Sequence, residues 1–178
     1  FGYALARNAV TAGHRAAIFD LEMTQKQRAH RIMASETGNN LHSIRDGDLM
    51  DSQKDDCLQS LFRIPIMFYH NWNGKPSFVR AQLSRMDAQG RPEMIVIDYL
   101  GFMQADGRYE RQDLAIGSIT KSLKRTAQEL DIPVVLLSQF SRVKDDREPM
   151  LSDLRGSGDI EQDADVVMFV HRRKETPL

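Results

Sequence analysis

The sequence has little cysteine and no long apolar run, and each shortage excludes a class of protein. Its single cysteine, Cys57, has no partner for an internal disulfide in the 178 residues, a usage typical of a reducing cytosol. The longest apolar runs are about five residues, whereas a membrane helix needs roughly 20. No secretory signal is visible. We therefore expect a cytoplasmic protein with no membrane partner.

An excess of charge of one sign is also absent. Lys and Arg number 24 and Asp and Glu number 25, giving a net charge of −1. A balanced chain has no overall attraction for nucleic acid, so any DNA contact must come from a local patch. The five histidines lack the close spacing of metal ligands, so no zinc site is predicted.

Apolar runs alternate with helical periodicity along the chain. The runs predict strands at Ala16 to Asp20, Ile66 to Tyr69, Met94 to Asp98, Val134 to Ser138 and Val166 to Val170. Alternating strands and helices imply right-handed crossovers and an α/β fold, with a mostly parallel sheet covered by helices on both faces.

Capping residues and apolar spacing predict the helices. Thr24 opens a helix with Gln27 three residues later, as in a capping box, and Gly38 ends it. Ser77 is expected to cap another helix. A helix from Ser52 to Phe62 is predicted with three residues facing the core: Leu58, Leu61 and Phe62.

The strand Met94 to Asp98 is the most informative segment. Four consecutive apolar residues suit a strand buried on both faces, and the run ends on the carboxylate of Asp98. Ligands bind at the carboxyl ends of strands in open α/β sheets, and an acid there can orient a water on nucleotide-bound Mg²⁺. For this strand alone, an acid that simply meets solvent explains the pattern equally well.

Polar residues follow the other strands in the same way. Asp20 and Glu22 follow the first strand, Ser138 and Gln139 follow the fourth, and His171 and Arg172 follow the fifth. Parallel strands would bring these groups to one edge of the sheet. There a glutamate can orient an attacking water, and a glutamine can contact a terminal phosphate because its amide both donates and accepts. The set predicts phosphate and metal chemistry.

Four segments, in this order and spacing, resemble successive motifs of the DnaB-family replicative DNA helicases. They are Phe19 to Met23, Met94 to Leu100, Val134 to Arg142 and Ser152 to Asp165. With Ser122 to Lys124, the resemblance covers essentially the whole chain. It implies a RecA-like P-loop NTPase core that forms hexameric rings around single-stranded DNA and hydrolyses ATP, with Mg²⁺, between subunits. It also implies a primase and a helicase loader as partners.

The resemblance assigns roles to individual residues. Glu22 matches the glutamate that activates the attacking water, and Asp98 matches the acid that assists Mg²⁺ through water. Gln139 matches the residue that couples the γ-phosphate to DNA contacts. Arg31 matches a helix arginine linked to that coupling, with a solvated helix charge as an equal alternative.

The resemblance also implies a DNA-binding loop of four residues: Arg155, Gly156, Ser157 and Gly158. Flexible Gly-Ser backbone can bring N–H groups close to a phosphate, and an arginine beside it can make charge-assisted hydrogen bonds. Such contacts carry no base readout, as a motor that moves over any sequence requires.

The chain departs from the family pattern at several positions. It contains no Gly-x-x-x-x-Gly-Lys-Thr loop, and its one Gly-Lys pair, Gly74-Lys75, is followed by Pro76. Gly101 and Gly156 stand where the family usually has Gln and Glu. We expect residues 1–178 to be a single RecA-like helicase motor domain, truncated at both ends and inactive towards ATP by itself.

Three hypotheses follow from the sequence. The first is the motor domain of a ring helicase. The second is a related RecA-like ATPase of the recombination or clock type, and the third is a non-catalytic remnant that binds DNA or partners. The motif from Arg155 to Asp165 favours the first.

Overall fold

The sheet has four parallel strands, and its two central strands are buried on both faces. The computed structural model describes residues 1–140, 147–154 and 157–171. The strands are β1 (Ala16–Asp20), β2 (Met67–Tyr69), β3 (Met94–Asp98) and β4 (Val134–Leu136), in the spatial order β2-β1-β3-β4. All of β1 is buried. Its apolar composition has no polar face because helices cover both sides of the sheet.

Helices fill the connections and cover both faces. Their bounds are α1 (Gly2–Thr11), α2 (Gln25–Thr37), α3 (Leu41–Asp46), α4 (Asp51–Arg63), α5 (Pro76–Ser84), α6 (Gln112–Leu130) and α7 (Ser157–Asp163). Single 3₁₀ turns lie at Leu100–Phe102 and Leu151–Asp153. The α1 helix packs on one face of the sheet, and α5 and α6 pack on the other. The predicted α/β fold is therefore confirmed. No helix among the described residues is long and apolar enough to cross a membrane.

The larger core cluster is centred on Phe19 of β1. The Phe19 ring stacks on Tyr69 with centroids 4.3 Å apart and meets the edge of Trp72 at 5.5 Å. Val79 and Leu83 of α5 pack into the same cluster and are fully buried. Trp72 is thus a packing residue. The cluster holds α5 against the face of the sheet on which the Phe19 side chain lies.

The capping signals in the sequence predicted the ends of α2. The Thr24 side chain accepts from the Gln27 backbone, and the Gln27 side chain accepts from the Thr24 backbone. Gly38 ends the helix with φ of 73°, a conformation that glycine adopts without steric cost. This capping-box prediction is confirmed. The Ser77 prediction is wrong, because Lys75 is the N-cap of α5 and Pro76 occupies its first turn.

The predicted inward face of α4 is wrong for Leu58 and Phe62, whereas Leu61 is partly buried. Leu58 and Phe62 are 56% and 85% exposed, whereas Cys57 and Ser60 are buried. The α4 helix packs against α2, and the Ser60 hydroxyl donates to the Cys57 carbonyl at 2.6 Å. Since that bond satisfies the hydroxyl, Ser60 can be buried at little cost.

The predicted strand Val166 to Val170 is also wrong. This segment joins no sheet among the described residues, although its burial alternates. Val166, Met168 and Val170 are exposed, while Val167 and Phe169 pack against the core. Strand formation needs a neighbouring edge for backbone hydrogen bonds, and the apolar alternation indicates only which side chains face inward.

The contrast between α5 and α4 gives a stability test. Leu83→Ala should lower the free energy of unfolding by about 2–5 kcal/mol, because it leaves a cavity in the core. Phe62→Ala should change it by less than about 0.5 kcal/mol, because the ring is exposed. Urea denaturation of the two variants measures both values. A cost for Phe62→Ala equal to that of Leu83→Ala would contradict the packing of α4.

Candidate functional site

The carboxyl ends of β1 and β3 meet in register. Asp20 and Asp98 are the last pair of that register, and the Leu21 N–H donates to the Asp98 carbonyl at 2.8 Å. Glu22 therefore leaves the sheet beside Asp98. We call this edge of the sheet the rim.

Gln139 reaches the same rim from β4. The Leu100 N–H donates to the Leu137 carbonyl at 2.9 Å, so the chain after β4 runs beside the chain after β3. Gln139 and Tyr99 line one cavity of about 200 Å³ between the rim and the start of α6. The structure thus brings Glu22, Asp98 and Gln139 to one edge of the sheet.

Asp98 carries the electrostatic signature of a crowded acidic site. Partial burial raises the pKa of Asp98 most, and the negative charges of Glu22 and Asp20 raise it further. The positive charge of Arg31 offsets part of this rise. The three acids therefore lie within electrostatic reach of one another, and a bound cation would relieve their repulsion.

The acids at the rim do not form a closed metal cage. Among the described residues, no group of three or more His, Cys, Asp or Glu side chains is placed to hold a metal ion together. Mg²⁺ commonly keeps several waters and is bound by one or two carboxylates plus substrate phosphates. A half-buried Asp98 next to an exposed Glu22 suits that mode of binding.

The turn between β1 and α2 holds the Glu22 backbone. Asp20 Oδ1 accepts from the backbone N–H groups of Glu22 and Met23, both at 2.9 Å. Asp20 Oδ2 accepts from Arg28 Nε at 3.1 Å. From the sequence, Asp20 was predicted only as a polar strand end, and Arg28 was not identified. The sequence signal that could have identified Arg28 is its position on the face of α2 that turns towards the sheet, where a charged residue needs a partner.

Arg31 lies on α2, exposed to solvent. Burial raises the pKa of Asp98, and the positive charge of Arg31 offsets a small part of that rise, so Arg31 lies within electrostatic reach of the rim. Both sequence interpretations, a coupling residue and a solvated helix charge, are compatible with an exposed position close to the acids.

The Tyr99 ring occupies the space beside Gly101. A Cβ at Gly101 would lie 2.5 Å from a Tyr99 ring carbon, which is closer than real Cβ contacts. The glutamine that the family usually carries there would require this ring to move. Gly101 and the orientation of Tyr99 therefore depend on each other.

The four residues predicted to bind DNA divide into two pairs. Arg155 and Gly156 lie outside the described residues. Ser157 and Gly158 are the first two residues of α7 and not part of a loop, so the loop prediction is wrong for them. The α7 helix packs on α6, and this tertiary contact supports helical structure in a segment with two glycines nearby.

Ion pairs and close packing involve the described residues on both sides of Arg155 and Gly156. On one side, Arg147 donates two hydrogen bonds to Asp153, at 2.8 and 2.6 Å, and these bonds lower the pKa of Asp153. On the other side, a Cβ at Gly117 of α6 would lie 2.6 Å from the Asp159 carboxylate. A larger residue at position 117 would require the Asp159 side chain to move.

Comparison with known proteins identifies relatives over nearly the whole chain. A family model described as the DnaB-like helicase C terminal domain matches residues 1–177. The replicative DNA helicase DnaB of Treponema pallidum (strain Nichols) is 39% identical over 164 residues, which are 90% of this chain and 37% of that protein. The DnaB helicase of Geobacillus stearothermophilus is 37% identical over 180 residues, covering 97% of this chain and 40% of that protein. The chain spans about two-fifths of the length of these relatives.

Solved structures give the same result. One solved ATPase domain superposes on the chain with a TM-score of 0.85 at 27% identity, covering 96% of this chain and 64% of that one. A DnaB-like replicative helicase, solved in a study of its interactions with primase, gives a TM-score of 0.80 at 27% identity, with coverage of 92% and 42%. The predicted RecA-like core is therefore confirmed.

The raised pKa of Asp98 predicts how stability depends on pH. Its folded-state pKa lies above the unfolded value, so the ionised carboxylate destabilises the fold once the pH rises through the folded pKa. Asp98→Asn should therefore raise the urea midpoint at pH 7, and the gain should shrink as the pH falls towards about 4, the ordinary pKa of aspartate.

Asp113→Asn is the control for this prediction. The Arg111 side chain lowers the pKa of Asp113, so removal of that carboxylate should not stabilise the protein at pH 7. A lower urea midpoint for Asp98→Asn than for the parent protein at pH 7, with equal midpoints near pH 4, would contradict the raised pKa of Asp98.

Proposed function

The chain belongs to the DnaB-like helicase C-terminal domain family, and on that basis we propose that it is the ATP-hydrolysing motor of a replicative DNA helicase. Residues 1–178 are proposed to form one such motor domain. The observation that carries the proposal is the convergence of Glu22, Asp98 and Gln139 at the rim. Ligand binding at the carboxyl ends of parallel strands is general in α/β sheets.

Each rim residue has a proposed task in ATP hydrolysis. Glu22, exposed and backbone-anchored, orients a water and accepts its proton as the water attacks the γ-phosphate. Asp98 would hold the Mg²⁺ that accompanies ATP through a water, and the ion would supply charge stabilisation for the phosphates. The raised pKa of Asp98 is consistent with a carboxylate whose charge a bound cation would stabilise.

Gln139 is proposed to link hydrolysis to DNA. Its amide can accept from the attacking water and donate to a phosphate oxygen, and it lies in the chain segment that leads from β4 towards Arg155. Arg31 is proposed to assist this coupling because its charge reaches the rim. The DNA-binding set remains Arg155, Gly156, Ser157 and Gly158, contacting the backbone of single-stranded DNA.

The α1 helix packs on β1 and β3, the two strands that end at the rim. The family carries its phosphate-binding loop just before the corresponding helix. These 178 residues contain no such loop, so we propose that they bind ATP weakly and do not sustain hydrolysis by themselves. In the parent protein we propose a homo-hexamer with ATP between subunits, acting in the cytoplasm with a primase and a loader.

Glu22→Gln in the full-length protein tests the catalytic assignment. Loss of the general base should lower DNA-stimulated ATP turnover by about 10²- to 10⁴-fold, with ATP affinity little changed. Strand displacement on a forked DNA should fall in parallel. Glu129→Gln, which removes an exposed acid of α6 paired with Arg80, is the matched control and should retain both activities. Undiminished turnover by Glu22→Gln would overturn the assignment. Turnover without strand displacement by the unmodified protein would favour a RecA-like ATPase of another kind.

Arg155→Ala tests the DNA-binding assignment. Removal of one phosphate contact should weaken single-stranded DNA binding for every sequence alike and reduce the slope of log K against log salt by about 0.7. Fluorescence anisotropy with two unrelated oligonucleotides at several salt concentrations measures both effects. An unchanged slope, or a loss confined to one sequence, would contradict the assignment.

A further inference from the structure

We propose that Asp20 and Arg28 are positioning residues that hold Glu22 in its place for catalysis. The inference rests on the proposed role of Glu22 as the base for ATP hydrolysis. It assigns a function to a buried ion pair that joins the end of β1 to α2.

Asp20 makes hydrogen bonds through both carboxylate oxygens and through its carbonyl. It is 3% exposed. Oδ1 accepts from the Glu22 and Met23 N–H groups, and Oδ2 accepts from Arg28. Trp72 Nε1 donates to the Asp20 carbonyl at 3.2 Å. Asp20 is therefore fixed from three directions, and the Glu22 backbone is bound directly to it.

Arg28 is buried in surroundings that are costly for a cation. It is 7% exposed, and its guanidinium carbon lies 4.9 Å from the centre of the Phe68 ring. Its Nη2 has no hydrogen-bond partner among the described residues. A cation–π contact and one ion pair offset only part of the desolvation of the charge.

An apolar pair of similar size would stabilise this position as well or better, because replacement of buried ion pairs by apolar residues is often neutral or favourable. An apolar residue at position 20 could not accept hydrogen bonds from the two N–H groups of the turn. The Asp20 carboxylate accepts from those N–H groups, and the hydrogen bond from Arg28 holds that carboxylate in its orientation. The pair is therefore better explained by the geometry of the Glu22 turn than by stability.

The Glu22 side chain is exposed, so its backbone defines where the carboxylate can reach. Loosening of the turn would let the carboxylate drift from the attacking water. A displacement of about 1 Å can cost roughly 100-fold in rate. The loss should appear in kcat and not in ATP binding, because Glu22 acts on the water.

The test measures ATP hydrolysis by the full-length protein carrying Arg28→Met, Arg28→Lys or Asp20→Asn. Arg28→Met and Asp20→Asn should lower kcat by roughly 10- to 100-fold, with KM for ATP within about twofold of the parent value. Arg28→Lys keeps the charge and should lose less. Circular dichroism and the elution volume of the oligomer establish that each variant is folded. Asp20→Asn is nearly isosteric, so its kcat decides the test if Arg28→Met does not fold.

The matched control is Glu36→Gln, which breaks another ion pair of α2. Glu36 is a largely buried acid that pairs with Arg7 at 2.8 Å, at the opposite end of the helix from Glu22. Its loss should leave kcat within about twofold, because it does not support the turn. An equal fall in kcat for Glu36→Gln would show that any loss of an α2 ion pair has this effect and would overturn the inference.

A double-mutant cycle separates positioning from general structural damage. In single-turnover assays, Asp20→Asn or Arg28→Met should cause no further loss in the Glu22→Gln background, because the group that they position is already absent. An equal loss in both backgrounds, or an unchanged kcat in folded single variants, would overturn this inference alone. Full activity of Glu22→Gln would instead overturn the proposed function.

Discussion

In-register pairing of β1 with β3 is the constraint on which the candidate site depends. Both strands are buried and parallel, and their five residue pairs end at Asp20 and Asp98. Buried backbone groups must be hydrogen-bonded, so neither strand can slide without loss of several bonds. The pairing therefore determines that Glu22 and Asp98 leave the sheet side by side, and the helices on both faces hold that arrangement.

The two acids at the ends of these strands are treated differently by their surroundings. Arg28 pairs with Asp20 within the fold, while Asp98 has no ion pair among the described residues and burial raises its pKa. The Asp20 carboxylate thus has a structural role, whereas the Asp98 carboxylate is available to interact with a bound cation. This division is what a site for Mg²⁺ and phosphate requires: a rigid frame together with an unneutralised ligand.

Much of the framework could be predicted from the sequence because its signals are local. Apolar runs marked the four strands, and Thr24 and Gly38 marked the ends of α2 because capping depends on neighbouring backbone groups. The wrong predictions concern segments whose local pattern is compatible with more than one tertiary arrangement. Alternation from Val166 to Val170 indicates the buried side chains but not a pairing partner, and apolar character alone did not show that Leu58 and Phe62 face solvent.

Local signals in the sequence specify the order of the elements, the polar residues that end the strands and the motifs shared with the DnaB-like family. Two features depend on tertiary contacts instead: Arg28 lies buried against Asp20, and Ser157 and Gly158 begin a helix that packs on α6. The difference arises because strand and cap signals act between neighbours in the chain. Burial of a charge and docking of a short helix depend on what distant segments place beside them.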